Sequence, residues 1–357
     1  MNFKRFFALF LATVMALFVL TGCEKNYKEA RSSREMRRVV ARIGDYEVKY
    51  EFFRYVFLSF KASVDGGDDT VWTGPDADDY FKAAKEKCEE VMRSVYGTFI
   101  FAKSVGIDPY SKEADARVNE YVNATIDGGF INGNYIAGYG GSVSDYKKDL
   151  EAQNMTDAVN RLFFRYSVCS TMLYEYYTDT FGGGTIQTDA QTIRDFYNKD
   201  DCLRLTWVAV QKDGTFTNEQ YRILANERRE GLLACETIEE KQQYAAFHNL
   251  QAATMDKGVF LISATCGTEY RDVFEEAKTL DIGEVGDVIE TFDAFYIPVR
   301  LTKPADYIDT ADGMTEIVDL YIEHSLYSAL DAQNETLAID YTAAFDRYAD
   351  AFGSTIK

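Results

Sequence analysis

The sequence is poor in histidine and proline and has no paired-cysteine motif, and each shortage removes a class of function. Only His248 and His324 occur in 357 residues, far apart in the chain. That argues against His-based metal sites and serine-type triads, which need an imidazole at the reacting centre. Six cysteines, Cys23, Cys88, Cys169, Cys202, Cys235 and Cys266, include no C-x-x-C, so neither a zinc ribbon nor a thioredoxin motif is present. Basic residues are in the minority, with 38 Lys and Arg against 58 Asp and Glu and a net charge of −20. A phosphate backbone is repelled by such a field, so nucleic acid is not an expected partner. Gly128–Gly141 is rich in Gly and Tyr, but no Lys-Ser/Thr follows, so it is not a phosphate loop. Asp65–Asp79 is rich in Gly and Asp, yet it lacks the ligand spacing and the sixth-position glycine of an EF-hand. It reads as a solvated loop. No metal and no cofactor is expected.

What is present is an ordinary globular composition, 46% hydrophobic and 27% charged, with 25 Tyr and 25 Phe to fill a core. It stands behind a leader. Lys4 and Arg5 precede an apolar run from Phe6 to Leu20, the length of a signal-peptide core rather than of a membrane span. The run ends in Leu20-Thr21-Gly22-Cys23, which resembles the bacterial lipobox. The resemblance implies cleavage after Gly22, lipid on the Cys23 sulfur, and anchoring on the extracytoplasmic face of a membrane, where two or more acyl chains hold stably. Removal of Lys4 and Arg5 takes the net charge from −20 to −22. Five cysteines then remain, an odd number that cannot all pair internally, and they read as free buried thiols. Glu24–Arg38 reads as a polar tether spanning roughly 20 Å as a coil.

In the body, Val39–Ile43 is a short β-type run, Gly44-Asp45 a turn, and Val48–Phe60 a helix by the spacing of Tyr50, Phe53, Val56, Phe57 and Phe60. Phe81, Ala84, Cys88, Val91, Val95 and Phe99 form the stripe of an amphipathic helix closing near Gly106. Further helices are predicted over 113–126, 144–153 and 156–180, and Gly182-Gly183-Gly184 reads as a hinge. Beyond it come a helix with Ile193, Phe196 and Tyr197, an alternating strand from Leu203 to Ala209, and helices at 218–230 and 237–252. A strand at 258–262, a helix at 269–279, a strand at 293–302, and helices at 312–332 and 341–352 complete the pattern.

Several of these stretches are recognisable. Val40-Ala41-Arg42-Ile43-Gly44-Asp45-Tyr46-Glu47-Val48, Glu51-Phe52-Phe53 and Phe101-Ala102-Lys103-Ser104-Val105-Gly106-Ile107 resemble the opening module of the SurA/PrsA family of extracytoplasmic foldases. Asp195-Phe196-Tyr197, Gly258-Val259-Phe260, Phe274-Glu275-Glu276-Ala277 and Gly283-Glu284-Val285 resemble its parvulin-type peptidyl-prolyl isomerase domain. The resemblance implies an α+β protein: a mainly helical chaperone module with an inserted parvulin-like domain, a small antiparallel sheet with surrounding helices. The expected boundaries are a signal peptide at 1–22, lipidated Cys23 and tether at 23–38, a helical module at 39–185, the parvulin-like domain at 186–305, and C-terminal helices at 306–357 that pack back on the module.

The departures from the family pattern bear on function. Parvulins carry a histidine on the first strand and another on the last; here those positions hold Trp207 and Tyr296, and Pro298 falls in the last strand, where a ladder donor is lost. Prolyl isomerisation needs a dry groove favouring a twisted amide rather than a nucleophile. The candidate groove residues are therefore Trp207, Phe260, Phe274 and Tyr296, with plain core packing as the competing reading and no catalytic residue assigned. The expectation is a membrane-anchored chaperone or foldase acting on unfolded or newly exported polypeptides. The alternatives are an active prolyl isomerase, with Tyr296 as hydrogen-bond donor, and a ligand- or partner-binding lipoprotein that keeps the parvulin-like part as scaffold.

Overall fold

The computed structural model describes residues 33–65, 68–131, 134–178, 186, 188–212, 215–249, 258–265, 268–291 and 294–346. The leader, Cys23, most of the tether, the hinge glycines 182–184, Cys266 and the chain after 346 lie outside the described residues. The described chain is mainly helical with small antiparallel sheets, an α+β fold. It divides into two compact units, one of residues 186–328 and one of residues 33–178 with 329–346.

The helical unit opens with β1 (Val39–Ile43) and β2 (Tyr46–Lys49), an antiparallel hairpin that turns at Gly44, whose φ of +55° suits a residue without Cβ. The helix expected from Val48 therefore starts later, as α1 (Tyr50–Asp65), because Tyr46–Lys49 alternates and pairs with β1 instead. Helix α1 buries Phe52, Phe53, Val56 and Phe57. The expected solvated loop after it is in part core. A 3-10 turn, Asp69–Thr73, inserts Trp72, whose indole N–H donates to Asp65 at 2.6 Å beside the Lys61 ammonium at 2.5 Å. Helix α2 (Ala77–Ser104) buries Ala84, Cys88, Val95 and Phe99 of the expected stripe. Helix α3 (Lys112–Asp127) is capped by Ser111, which accepts from the Ala114 N–H. It is followed by β3 (Gly129–Ile131) and β4 (Asn134–Ile136), a hairpin in the Gly- and Tyr-rich segment to which the sequence pattern assigns no element. Helices α4 (Val143–Ala152) and α5 (Asp157–Thr178) follow, and Val118 and Val122 of α3 pack with Phe164 and Val168 of α5.

The other unit is a four-stranded antiparallel sheet between helices. In chain order it holds α6 (Ala190–Asn198), β5 (Cys202–Gln211), α7 (Asn218–Leu233), α8 (Ile238–His248), β6 (Phe260–Ser263), α9 (Thr268–Thr279), β7 (Ile289–Glu290), β8 (Ala294–Leu301) and the first part of α10 (Ala311–Thr336). The strand order is β6-β5-β8-β7. Helices α7 and α8 each begin with a full capping box, Thr217 with Gln220 and Thr237 with Glu240. Pro298 does not interrupt β8. It lies opposite Trp207, and its carbonyl accepts from the Gly286 N–H at 2.8 Å on the side away from β5. Carbonyl and N–H of one strand residue point the same way, so the missing donor costs the central β5–β8 ladder nothing.

A separate cluster joins Ile193, Phe196, Tyr197 and Cys202 to Ile308 and Ile317. Beside it the His324 ring lies 5.1 Å from Phe196, with Nδ1 at 3.2 Å from the Thr265 hydroxyl. Burial, partly opposed by Asp201, holds the imidazole pKa below its ordinary 6.5. The unfolded state then binds the proton more readily than the folded one, so stability is full above the unfolded value and falls as pH drops below it. In urea melts from pH 7.5 to pH 5.5, the stability of His324→Gln relative to the unchanged chain should rise as pH falls; a difference independent of pH would refute the assignment.

The last described residues lie in the helical unit. The final part of α10, from Ala329, leads to β9 (Asp340–Tyr341), which pairs antiparallel with β1, so the helix expected from Tyr341 begins as strand. Thr342 donates its N–H to Val40 O at 2.9 Å, and Phe345 stands edge-on to Phe53 at 5.1 Å.

Candidate functional site

Alternation along β5 aims its odd and even residues at opposite sides of the sheet. Val208 and Val210 face α7 and α8 together with Phe295, Ile297 and Val299. Leu203, Leu205 and Trp207 face α9, and this is where the residues singled out in the sequence meet. Trp207, Phe260, Phe274 and Tyr296 belong to one cluster with Tyr270 and Val273, and none of the four is more than 9% exposed. The Trp207 indole stacks on Phe260 with centroids 3.8 Å apart and planes 8° from parallel. On Tyr270 it stacks at 5.4 Å and 16°. Tyr296 presents its edge to Trp207 at 5.6 Å and 82°. Four rings thus occupy the sheet face with both stacked and edge contacts, the arrangements that aromatic quadrupoles favour.

Two members of this arrangement were not singled out in the sequence. Tyr270 has a signal: Tyr270, Val273, Phe274 and Ala277 recur at helical spacing on α9, which marks the packed face of that helix. Asn249 has none, since an asparagine after a helix reads as a cap. Its role comes from the sheet. Strand β6 pairs with β5 only over Cys202–Leu205, which leaves the next backbone groups of β5 without a strand partner. The buried Asn249 side chain replaces one: Oδ1 accepts from the Ala209 N–H at 2.7 Å, and Nδ2 donates to Trp207 O at 2.5 Å. A carboxamide carries the same donor and acceptor as a peptide group. Asn249→Ala leaves both backbone groups unpaired and should cost about 2 kcal/mol. Urea denaturation checks this; a loss under half a unit would mean that water replaces the amide.

Neither histidine enters the cluster. His324 lies on α10 against Phe196, and His248 ends α8 with its ring 4.3 Å from Tyr244. The described thiols are also unsuited to covalent chemistry. Cys88, Cys169, Cys202 and Cys235 are free, the first three are buried, and burial pushes Cys169 and Cys202 up to about 12. No group of side chains able to hold a metal ion occurs among the described residues.

No protein-family model matches the sequence, and no curated protein does. Solved structures of PrsA proteins are similar to it. The foldase protein PrsA from Streptococcus pneumoniae is 15% identical, with 88% of this chain and 100% of that chain covered and a TM-score of 0.33. PrsA from Bacillus subtilis is 13% identical over 72% of this chain and 86% of its own, with a TM-score of 0.26. For the foldase PrsA from Lactococcus lactis the values are 12% identity, 90% and 100% coverage, and a TM-score of 0.24.

Proposed function

We propose that this chain is a lipid-anchored, extracytoplasmic chaperone for newly exported polypeptides, and that its parvulin-like sheet unit serves as scaffold rather than catalyst. The lipobox at Cys23 and the family motifs in the sequence support export and the folding role. The observation that carries the scaffold reading is the closed aromatic cluster. Trp207 stands where the resemblance calls for a histidine, and its indole is stacked between Phe260 and Tyr270 with Tyr296 against its edge. A twisted prolyl amide needs an open, dry surface with a donor aimed into it. Side chains already packed against one another fill that face here, and opening it would forfeit their mutual burial.

The reading is tested with residues 24–357 in two assays. Cis/trans exchange of an Xaa-Pro peptide, followed by NMR, should not be accelerated. Aggregation of a reduced client should be suppressed at stoichiometric amounts. Acceleration abolished by Tyr296→Ala would establish the isomerase instead. Failure of both assays would favour a partner-binding lipoprotein.

A further inference from the structure

We propose that the β3–β4 hairpin is an edge-strand docking site for extended polypeptide segments that combine apolar and basic side chains. The site is argued from its own geometry; only the identification of its occupant with a newly exported chain rests on the function proposed above.

The hairpin is tied down at its base. Gly128 and Gly138 sit at φ of +86° and +67°, and a Cβ on Gly138 would fall 2.1 Å from the Gly128 nitrogen. The two backbones therefore touch at the base, where no side chain fits. Tyr139 and Gly141 both donate their N–H groups to Ile126 O at 2.9 Å, and the Tyr139 hydroxyl donates to Asp149. Ile131 is buried on one face. On the opposite face Phe130 and Tyr135 stand 70% and 66% exposed, edge to face at 5.5 Å. Two large rings held together in water on this hairpin are a contact surface in need of a partner.

The register says what kind of partner. Ile131 pairs with Asn134 across a two-residue connection, Phe130 with Tyr135, and Gly129 with Ile136. The pair that closes such a connection exchanges hydrogen bonds, so the next pair, Phe130 and Tyr135, directs its N–H and C=O groups outward. The hairpin is a sheet of two strands with no third strand on either edge among the described residues. An extended peptide can add to such an edge through main-chain bonds, which demand no sequence, while its alternate side chains reach the rings.

Charge selects among occupants. Around the hairpin, residues 117–149 carry Glu120, Asp127, Asp145 and Asp149 against Arg117, Lys147 and Lys148, and Arg117 is already paired with Glu113 and Glu175. Asp145 is paired with Lys148 at 3.2 Å, whereas Glu120 and Asp127 have no ion-pair partner among the described residues. An anionic bilayer would be repelled, and a second copy would bring the same acidic surroundings. A polypeptide with Lys or Arg beside apolar side chains is attracted.

The test uses residues 24–357, unchanged and as Phe130→Ser/Tyr135→Ser, which keeps the net charge and replaces two exposed side chains. Fluorescence anisotropy with a ten-residue Leu/Lys alternating peptide should show binding that the double variant weakens at least tenfold, at an unchanged melting temperature. A Leu/Glu peptide, and a Leu/Lys peptide N-methylated at alternate residues, should each bind at least tenfold more weakly. Equal binding by the variant overturns the proposal. So does binding to phosphatidylcholine/phosphatidylglycerol vesicles that the variant loses in place of peptide binding, or self-association that the variant abolishes in sedimentation. Aggregation suppression on the same samples separates the two readings. Peptide binding without suppression overturns the function proposed above and leaves the docking site. Suppression with variant-independent peptide binding does the reverse.

Discussion

Trp207→Ala should destabilise the sheet unit by about 4 kcal/mol, the range for removing a large buried aromatic side chain from a packed core. The indole is 6% exposed and stacked against two rings, so its removal loses transfer free energy and leaves a cavity between β5 and α9. Neighbouring rings relax only in part, because Phe260 is held by the β5–β6 ladder and Tyr296 by the β5–β8 ladder. Trp207→Phe keeps a stackable ring and should cost about 2 kcal/mol, half as much. Urea denaturation followed by far-UV circular dichroism measures both, because each variant removes the Trp207 fluorophore itself. A cost below about 1 kcal/mol for Trp207→Ala would mean that the indole is not a core side chain and that the face opens in solution. The isomerase reading would then regain its groove.

Sequence periodicity located the long helices because each buries a single stripe. Ala84, Cys88, Val95 and Phe99 of α2 show this plainly. Trp207, Phe260, Phe274 and Tyr296 were picked out by the resemblance to family motifs rather than by periodicity, and they lie in one cluster. The short strands escaped for a physical reason. Tyr46–Lys49, Ile289–Glu290 and Asp340–Tyr341 are too brief to show a period, and they are strands only because a distant partner offers a ladder. The β3–β4 hairpin has a sequence signal in Asn132-Gly133 between short apolar runs, but strands of three residues are too brief to show alternation. Pro298 shows the opposite error. A proline breaks a ladder only on the side to which its N–H would point, and the sequence does not say which side that is. Asn249 stands for a third case, a side chain whose importance exists only once β6 is seen to stop short.

Gly97→Ala opposes two effects of known sign, and their sizes decide the outcome. Gly97 lies inside α2, where alanine is intrinsically better than glycine by about 1 kcal/mol, so propensity alone forecasts a gain. Packing forecasts the reverse. A Cβ at Gly97 would lie 1.8 Å from Asn334 Oδ1, 2.9 Å from its Cγ and 3.0 Å from Leu337 Cδ1, all on the C-terminal segment of the helical unit. That segment is fastened close by: Gln333 Nε2 donates to Gly97 O at 2.9 Å, Arg93 Nε donates to Leu337 O at 3.2 Å, and the Tyr341 hydroxyl donates to Glu89 at 2.9 Å. The crossing cannot widen without loosening these bonds and the β9–β1 pairing beyond them. We expect a net loss of about 3 kcal/mol, the upper part of the range for overpacking. Hydrogen exchange at Thr342, whose N–H bonds Val40 O, should quicken in step. Asn334→Ala supplies the decisive comparison. Asn334 Oδ1 is buried without a hydrogen-bond partner, so its removal costs little on its own, yet it takes away the two closest contacts of the new methyl group. The double variant should therefore recover all but about 1 kcal/mol, and the interaction between the two substitutions should be large and favourable. If the losses simply add, the methyl group is being accommodated elsewhere, and the close approach of α2 to the returning chain is not what holds the C-terminal segment in place.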